Sequence, residues 1–531
     1  MGGCGLAYEY TFSKIAADLL GNSARQWALV ICIMLFCMGL GAEIQRHIPG
    51  RKILGSLLAS QILLALLGGF GPFFLLSAFA WFPFNFGLVQ YGLISLIGIL
   101  IGFEIPLITR LNEDYSANIE SNLASVLKFD YIGALVGGLV WTFLLPRFFN
   151  IHESAYILAF ATLAAAFLCW LILAKRRHPA GVISLFAATA ALAFGYQHSR
   201  QWALHAEQAL FRDRIIHTAT TPYQHIVLTQ SQAGNLRCYI NGHIQFSSTD
   251  EAIYHENLVH PAMQVAPRKN RVLVLGGGDG LALREILKYP EVAEIVLVDL
   301  DPEMTRLASE HPLLSELNAG SLSAPRVRVL ENEAHLPSES APLPLPNQRR
   351  PDLPLREGPT LRILNLDATR YAQQADGLFD LIFLDFPDPS SPGLAKLYAR
   401  PFYQALREKL SPEGLLVQQS ASPDRTKEAF LCIGRTLEAA GFAALPYHDH
   451  VPSFGEWGWW IATPRSSYSQ AQLRQRILDI SSLPDQLSYL TPALIHGSLH
   501  FGKNQLQTQA DDITTLSQPA VLQHYLRGWQ D

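Results

Sequence analysis

Arg271-Val-Leu-Val-Leu-Gly276-Gly-Gly-Asp-Gly280-Leu-Ala-Leu-Arg-Glu-Ile, with Ile295-Val-Leu-Val-Asp299-Leu-Asp301 after it, is the stretch that decides the fold. Residues 271–275 are a short continuous apolar run, as in a strand buried on both faces. A glycine turn follows at 276–280, then apolar residues at helical spacing over 281–287, then a second apolar run at 295–298. Strand, tight turn, helix and strand in that order predict a βαβ start and a parallel sheet with ligands at its carboxyl edge. Gly276, Gly278 and Gly280 let a nucleotide approach the backbone, and the helix start offers free N–H groups. Asp299 ends the second strand, where an acid suits ribose hydroxyls; its plainer role is to cap the strand end.

Outward from this core the pattern continues on both sides. Downstream, Leu361-Arg-Ile-Leu and Asp380-Leu-Ile-Phe-Leu read as further strands. The second runs into Asp385-Phe386-Pro387-Asp388-Pro389, two acids three apart held by prolines at a strand's carboxyl edge. Between them, 337–358 is rich in Pro, Ser and charge and reads as a surface insertion of little catalytic weight. Upstream, His225-Ile-Val-Leu and Leu236-Arg-Cys-Tyr-Ile flank the hairpin signal Asn241-Gly242, which predicts a small antiparallel β lead-in over 218–246. A helical stretch at 251–263 carries Tyr254-His255-Glu256. The catalytic region is expected over 247–465, with a C-terminal helical extension over 466–531.

The first 198 residues are of a different kind. Charged residues make up 16% of the chain, and the deficit falls almost wholly in this part. Apolar segments at 27–41, 53–79, 86–108, 131–145, 156–174 and 181–196 predict six clear spans in a lipid bilayer, hence a multi-span helical domain. The weaker stretch 6–20 is expected to be an interfacial amphipathic helix or a truncated seventh span. Gly133 and Gly137 have the spacing of a close helix–helix contact. Glu104 and Asp130 sit at membrane depth; either they are solvated near span ends, or they line a polar cavity or proton path.

Sidedness is contradictory. Arg46, Arg51, Lys52, Arg110, Lys128, Lys175, Arg176 and Arg177 fall on one side, which the Lys/Arg rule makes cytoplasmic, and that puts the second half outside. Nucleotide supply argues for a cytoplasmic catalytic domain at the cell inner membrane, and that weighs more. The net charge of -5 offers no basic footprint for nucleic acid. The six cysteines include no CxxC pair, so they read as small buried hydrophobes and no metal site is expected.

Methyltransferases that use S-adenosylmethionine usually place an acid two residues before the first glycine. Val274 stands there, and Asp279 sits inside the loop instead. An aspartate repels the carboxylate tail of S-adenosylmethionine and suits the ammonium of its decarboxylated form; its alternative role is to cap the next helix. Together with Tyr223-Gln224, the run Asp250-Glu251…Tyr254-His255-Glu256, Asp367-Ala368 and Asp385…Asp388-Pro389, the chain resembles the spermidine synthase (polyamine aminopropyltransferase) family in its membrane-fused bacterial form. The likeness covers about 223–452 and, more loosely, the spans.

That resemblance implies a Rossmann-like domain of the class I methyltransferase type, acting as a spermidine synthase. It would take decarboxylated S-adenosylmethionine as co-substrate, putrescine or a related diamine as acceptor, and no tightly bound cofactor. By the resemblance Gln224, Asp299, Asp367, Ala368 and Pro392 line the nucleoside, and His255 and Asp279 face the aminopropyl tail and the amine. Asp385 is the proton acceptor and Asp388 binds the diamine. The chain departs from the family where Asp299 replaces a more usual Glu, and in Phe386-Pro387 and Ser390-Ser391, which leave the choice of amine open. Glu333-Ala334 is a second, poorer candidate for the adenine-side motif; the spacing of Asp367 to Asp385 is the ordinary one. A methyltransferase, or a polyamine transporter or sensor with a non-catalytic nucleotide domain, are the competing readings. A homo-oligomer is compatible with all of them.

Overall fold

The computed structural model describes residues 1–531 except 21–22, 113–118, 174–178, 324–327, 331–358, 375–376 and 530–531. The expected insertion at 337–358 and the Glu333-Ala334 alternative lie outside the described residues. The chain divides into two compact units, Met1–Arg214 and Ile215–Asp531.

The first unit is helical: α1 (Gly2–Leu20), α2 (Ser23–Ile44), α3 (Ile53–Trp81), α4 (Phe86–Gly102), α5 (Glu104–Asn112), α6 (Ile119–Leu139), α7 (Leu145–Phe148), α8 (Ile151–Leu173) and α9 (Pro179–Gln208). Among the described residues, Arg25–His47, Gly50–Trp81, Pro83–Asn112, Glu120–Phe148 and Ile151–Ile172 are long and apolar enough to cross a membrane. The sixth expected segment, 181–196, lies within α9.

α1 differs from the expectation of a helix lying on an interface. Ala7, Tyr8, Phe12 and Ala16 are fully buried, and α1 packs on α2, α3, α6 and α8. Its burial follows from small residues on its neighbours. A Cβ on Gly137 would stand 2.2 Å from the Gly3 carbonyl oxygen, so α1 and α6 touch backbone to backbone. Glu104 is only 3% exposed, which removes the reading in which it is solvated at a span end.

The second unit opens with a four-stranded antiparallel sheet in the order β1-β2-β3-β4: β1 (Arg214–Thr220), β2 (His225–Gln230), β3 (Leu236–Ile240) and β4 (His243–Ser247). It begins four residues earlier than the expected 218, because β1 adds an edge strand whose mixed pattern carries no clear alternation. Asn241 and Gly242 both have positive φ (51° and 82°), as a tight two-residue hairpin turn requires.

The main sheet has eight strands: β5 (Arg271–Gly276), β6 (Glu294–Asp299), β7 (Arg328–Leu330), β8 (Thr360–Asn365), β9 (Phe379–Asp385), β10 (Leu410–Gln419), β11 (Phe442–Val451) and β12 (Gly455–Pro464). Their order is β11-β12-β10-β9-β5-β6-β8-β7, parallel from β10 to β7, with β12 and β11 antiparallel at the other edge. Side chains alternate cleanly between two cores. Val272, Val274, Leu381 and Phe383 enter one, and Leu273, Leu275, Ile382 and Leu384 the other. This double burial is why the strands read as continuous apolar runs.

The region 466–531 is only partly helical, with short helices at Gln470–Leu478, Pro492–Ser498 and Ala520–Gly528. Prolines at 484, 492 and 519 restrict the intervening chain. It is pinned to α10 (Glu251–Val265) by the buried Glu256, whose carboxylate accepts the backbone N–H groups of Ser488, Tyr489 and Leu490 at 2.6, 3.0 and 2.7 Å.

Candidate active site

In an open parallel sheet the ligand crevice forms where the chain's connections depart in opposite directions from neighbouring strands. Here that point lies between β5 and β9, and the register sets Gly276 beside Asp385. Gly276 has φ +82°, and a Cβ there would stand 2.1 Å from the Asp385 carbonyl oxygen. Only glycine allows the turn to leave the sheet this close to the acid.

The loop then folds over the strand ends. The Gly278 N–H donates to Asp299 at 3.0 Å, and the Asp301 N–H donates to its other oxygen at 2.9 Å. Asp279 accepts the Leu281 N–H at 2.9 Å, so it does cap α11 (Leu281–Ile286). Capping does not exhaust it. Asp279, His255 and Asp385 each present a nitrogen or oxygen within 4.8 Å of the others. The Tyr254 hydroxyl donates to Asp385 at 2.7 Å.

Behind them, His255 Nδ1 donates to the Glu251 carboxylate at 2.9 Å and to its backbone carbonyl at 2.8 Å. Arg284 holds the same carboxylate with two hydrogen bonds of 2.8 and 2.9 Å. Burial works against charge on His255, but the Glu251 hydrogen bond and charge outweigh it, and with the nearby Asp279 and Asp385 they push its pKa up to about 9. The ring is therefore a cation at neutral pH. By spacing alone these three side chains could also hold a metal ion.

The acids are raised. Burial pushes Asp279 up to about 6 despite the opposing charge of His255, with Asp385 adding repulsion. Burial also raises Asp385 against His255 and the Tyr254 hydroxyl. Asp388 rises to about 6 by burial, held back by hydrogen bonds from Gln419 and Tyr525. Asp299 reaches about 6 for the same reason, restrained by the N–H groups of Asp301 and Gly278. Four partly exposed carboxylates thus crowd one crevice with a single imidazolium among them. Such an arrangement is costly when empty and draws in cations.

The remaining expected residues lie around this centre. Asp367 follows β8, accepts the Thr369 N–H at 2.8 Å and pairs with Lys396 at 2.6 Å. Burial opposes its charge, but Lys396 and backbone donors hold its pKa below the usual carboxylate value. Ala368 opens the helix Ala368–Gln374, and Pro392 opens Pro392–Ala395 after the cap Ser391. Gln224 sits in the β1–β2 loop, which Thr221 ties to the β6 end through a 2.8 Å bond to Asp301. His255, Asp279 and Asp385 are brought together, with Asp299 and Gly278 beside them; Asp367 is committed to Lys396.

Tyr254, Glu251, Arg284, Gln419 and Tyr525 were not singled out from the sequence as site residues. Tyr254 and Glu251 were visible only as parts of a motif. Arg284 and Gln419 carry no local signal, since only tertiary packing brings them to the acids.

A parallel sheet with a glycine turn at its switch point and an acidic, half-buried crevice is the architecture of a Rossmann-like nucleotide-binding domain. Comparison with known proteins specifies it. The Spermine/spermidine synthase domain family matches residues 251–335 and 351–472. Polyamine aminopropyltransferase 2 of Ralstonia nicotianae is 38% identical over 467 residues, covering 87% of this chain and 85% of that protein. Polyamine aminopropyltransferase 1 of Streptomyces coelicolor is 35% identical over 540 residues, covering 99% of this chain and 93% of that protein. A spermidine synthase crystal structure in complex with the transition state analogue AdoDATO overlays 55% of this chain and 88% of its own, at 20% identity and a TM-score of 0.43. The chain belongs to the polyamine aminopropyltransferase family.

Proposed function

We propose that this protein transfers the aminopropyl group of decarboxylated S-adenosylmethionine to putrescine, giving spermidine and methylthioadenosine. The observation that carries this reading is the acidic crevice at the glycine turn, where Asp279, Asp385 and the His255 imidazolium lie within 4.8 Å of one another. The nucleoside would bind along Gly276, Gly278, Gly280, Gln224, Asp299, Asp367, Ala368 and Pro392. Its cationic tail would meet Asp279 and His255. Asp388 would hold the far ammonium of the diamine.

In the reaction an amine lone pair forms the C–N bond as the C–S bond breaks. The sulfur keeps the bonding electrons and leaves as a neutral thioether. The attacking amine must first lose a proton, which costs roughly 4–5 kcal/mol at pH 7 for a group with a pKa near 10.4. Asp385 is too weak a base to remove it alone. Its role is to orient the amine and take the proton as the C–N bond forms, when that nitrogen becomes acidic. The Tyr254 hydroxyl aims the carboxylate. His255 counterbalances Asp279 and Asp385, so both can be ionised when the cations arrive.

Discrimination against S-adenosylmethionine follows from Asp279. A second carboxylate about 4 Å away costs about 4 kcal/mol at an effective dielectric of 20. Offered to the purified full-length protein with putrescine, decarboxylated S-adenosylmethionine should yield methylthioadenosine, and S-adenosylmethionine should yield none. Equal product from both would overturn the reading.

The raised acids predict an acid limb. Their charged forms attract the amine, so kcat/KM for putrescine, which already declines with the free-amine fraction as the pH falls, drops more steeply through about pH 6, where Asp279 and Asp388 become neutral. Initial rates between pH 5 and 8 measure this, and a profile without that steepening would contradict the assignment.

The apolar helices of the first unit favour a multi-pass anchor in the cell membrane. With nucleotide made in the cytoplasm, the catalytic unit belongs on that side, against the Lys/Arg bias of the loops. Protease access to 337–358 in sealed cells tests this: cleavage from outside would reverse the assignment.

A further inference from the structure

We infer that Lys396 is a positioning residue for Asp367, and that the pair makes the nucleoside end of the crevice selective for a base with an exocyclic amino group. The inference rests on the assignment of Asp367 to the nucleoside in the proposed function.

The sheet itself orders the ligand. Four neighbouring strands run β9-β5-β6-β8, and their carboxyl ends carry Asp385, Gly276, Asp299 and Asn365. Asp299 pairs in register with Asn365, so Asp367 stands two residues past that level and one strand further from the catalytic acid. Adjacent strands lie about 4.8 Å apart. A nucleoside whose tail meets Asp279 and Asp385 and whose ribose meets Asp299 therefore brings its base to the end of β8, beside Asp367.

The carboxylate is nearly filled, and the way it is filled leaves one direction open. Oδ1 accepts the N–H groups of Thr369 at 2.8 Å and Arg370 at 3.2 Å, which fixes it on the start of the helix Ala368–Gln374. Oδ2 accepts from Lys396 Nζ at 2.6 Å. A carboxylate offers roughly four acceptor sites, so one remains, on Oδ2 beside the ammonium. Both side chains stay partly open, 39% for Lys396 and 33% for Asp367, so a ligand can reach that site. It takes a hydrogen-bond donor, such as the amino group of adenine.

Lys396 is held from the catalytic side. It opens the 3₁₀ turn Lys396–Tyr398, which ends in the fully buried Tyr398, whose hydroxyl donates to the Pro387 carbonyl at 2.9 Å. Leu397 and Tyr398 pack in the same core as Ala368 and Tyr371. The ammonium thus comes from the segment after β9 and the acid from the loop after β8, each anchored by its own neighbours. Fixed from both sides, Oδ2 keeps one aim; without Lys396 the carboxylate could pivot about the bonds to Oδ1.

The test is calorimetric binding, to the solubilised full-length protein, of methylthioadenosine and of its analogue with hydrogen in place of the amino group. Wild type should prefer methylthioadenosine. K396M should weaken that ligand about fivefold, the scale of one partly exposed pair, and change the analogue by less than about twofold. D367N should lose the same preference, and K396M added to D367N should do nothing more, because the effect runs through that carboxylate. Equal weakening of both ligands by K396M would mark a structural tether, and no weakening of either a mere surface ion pair; each overturns the inference. A wild type that binds both ligands equally also overturns it, and leaves the proposed function standing. A wild type that binds neither defeats both. A wild type that shows the preference, lost in K396M, but makes no methylthioadenosine from decarboxylated S-adenosylmethionine and putrescine defeats the proposed function alone.

Discussion

Replacing Asp385 by Asn should cut kcat by about 10²–10⁴-fold, the usual worth of a positioned proton acceptor, and leave the KM for the nucleotide nearly unchanged. The size follows from geometry. The acid stands beside Gly276 at the switch point of the sheet, with the Tyr254 hydroxyl on one oxygen. Asn keeps the shape and can still accept that hydrogen bond, but it cannot take the amine's proton. Stability separates this from misfolding. The folded-state pKa of Asp385 is raised by burial. Ionising it therefore costs stability as the pH rises above the unfolded value of about 3.9. Removing the charge relieves that cost, so the ligand-free variant should melt at or above the wild-type temperature at neutral pH, with the gain vanishing in acid. Turnover within threefold of wild type would sink the role given to Asp385.

Glu251→Gln should have the largest effect on folding. Glu251 is 5% exposed and satisfies two cations at once, accepting from His255 and from both terminal nitrogens of Arg284. Removing one member of a buried ionic group typically costs about 3–5 kcal/mol, because the partners remain buried without their counter-charge. For the solubilised full-length protein this corresponds to a fall in Tm on the order of 10 °C.

The pH dependence has a defined sign. His255, raised to about 9, contributes stability that is complete below its unfolded value near 6.5 and is lost as the pH rises through about 9. Glu251 is lowered, despite burial, by His255 and Arg284, so its contribution is present above about 4.5 and lost as the pH falls below it. The deficit of the variant should therefore be largest near pH 5–7 and shrink above 9. The same change lets His255 become neutral, so turnover should drop with stability. A variant equal to wild type in Tm across that range would show that the cluster is not ionic.

Much of this was legible along the chain because it depends on local pattern. Arg271-Val-Leu-Val-Leu reads as a strand since both its faces are covered, and the Gly276–Gly280 turn announces itself by composition. Asp299 and Asp385 were visible because they end strands, with Asp388 three residues beyond the second, and a parallel sheet puts its strands' carboxyl ends on one edge. α1 was misjudged. Its burial depends on Gly3 and Gly137 meeting across 134 residues, and its own sequence carries Glu9, Lys14 and Asp18 like a surface helix. The extension 466–531 reads as helical along the sequence, but it is only partly so, and Glu256 collects its non-helical backbone at residues 488–490.

By itself, then, the amino-acid sequence determined the two kinds of unit, the sheet, the glycine turn and the acids that face it, since each follows from periodicity or from residue chemistry within a few positions. The tertiary structure decided the surroundings that raise the pKa of those acids and of His255, and the brace that Gln419 gives the turn at Asp388. These depend on desolvation and on partners dozens to well over a hundred residues away. No local pattern encodes them, because a pKa belongs to the surroundings that folding assembles and not to the residue alone.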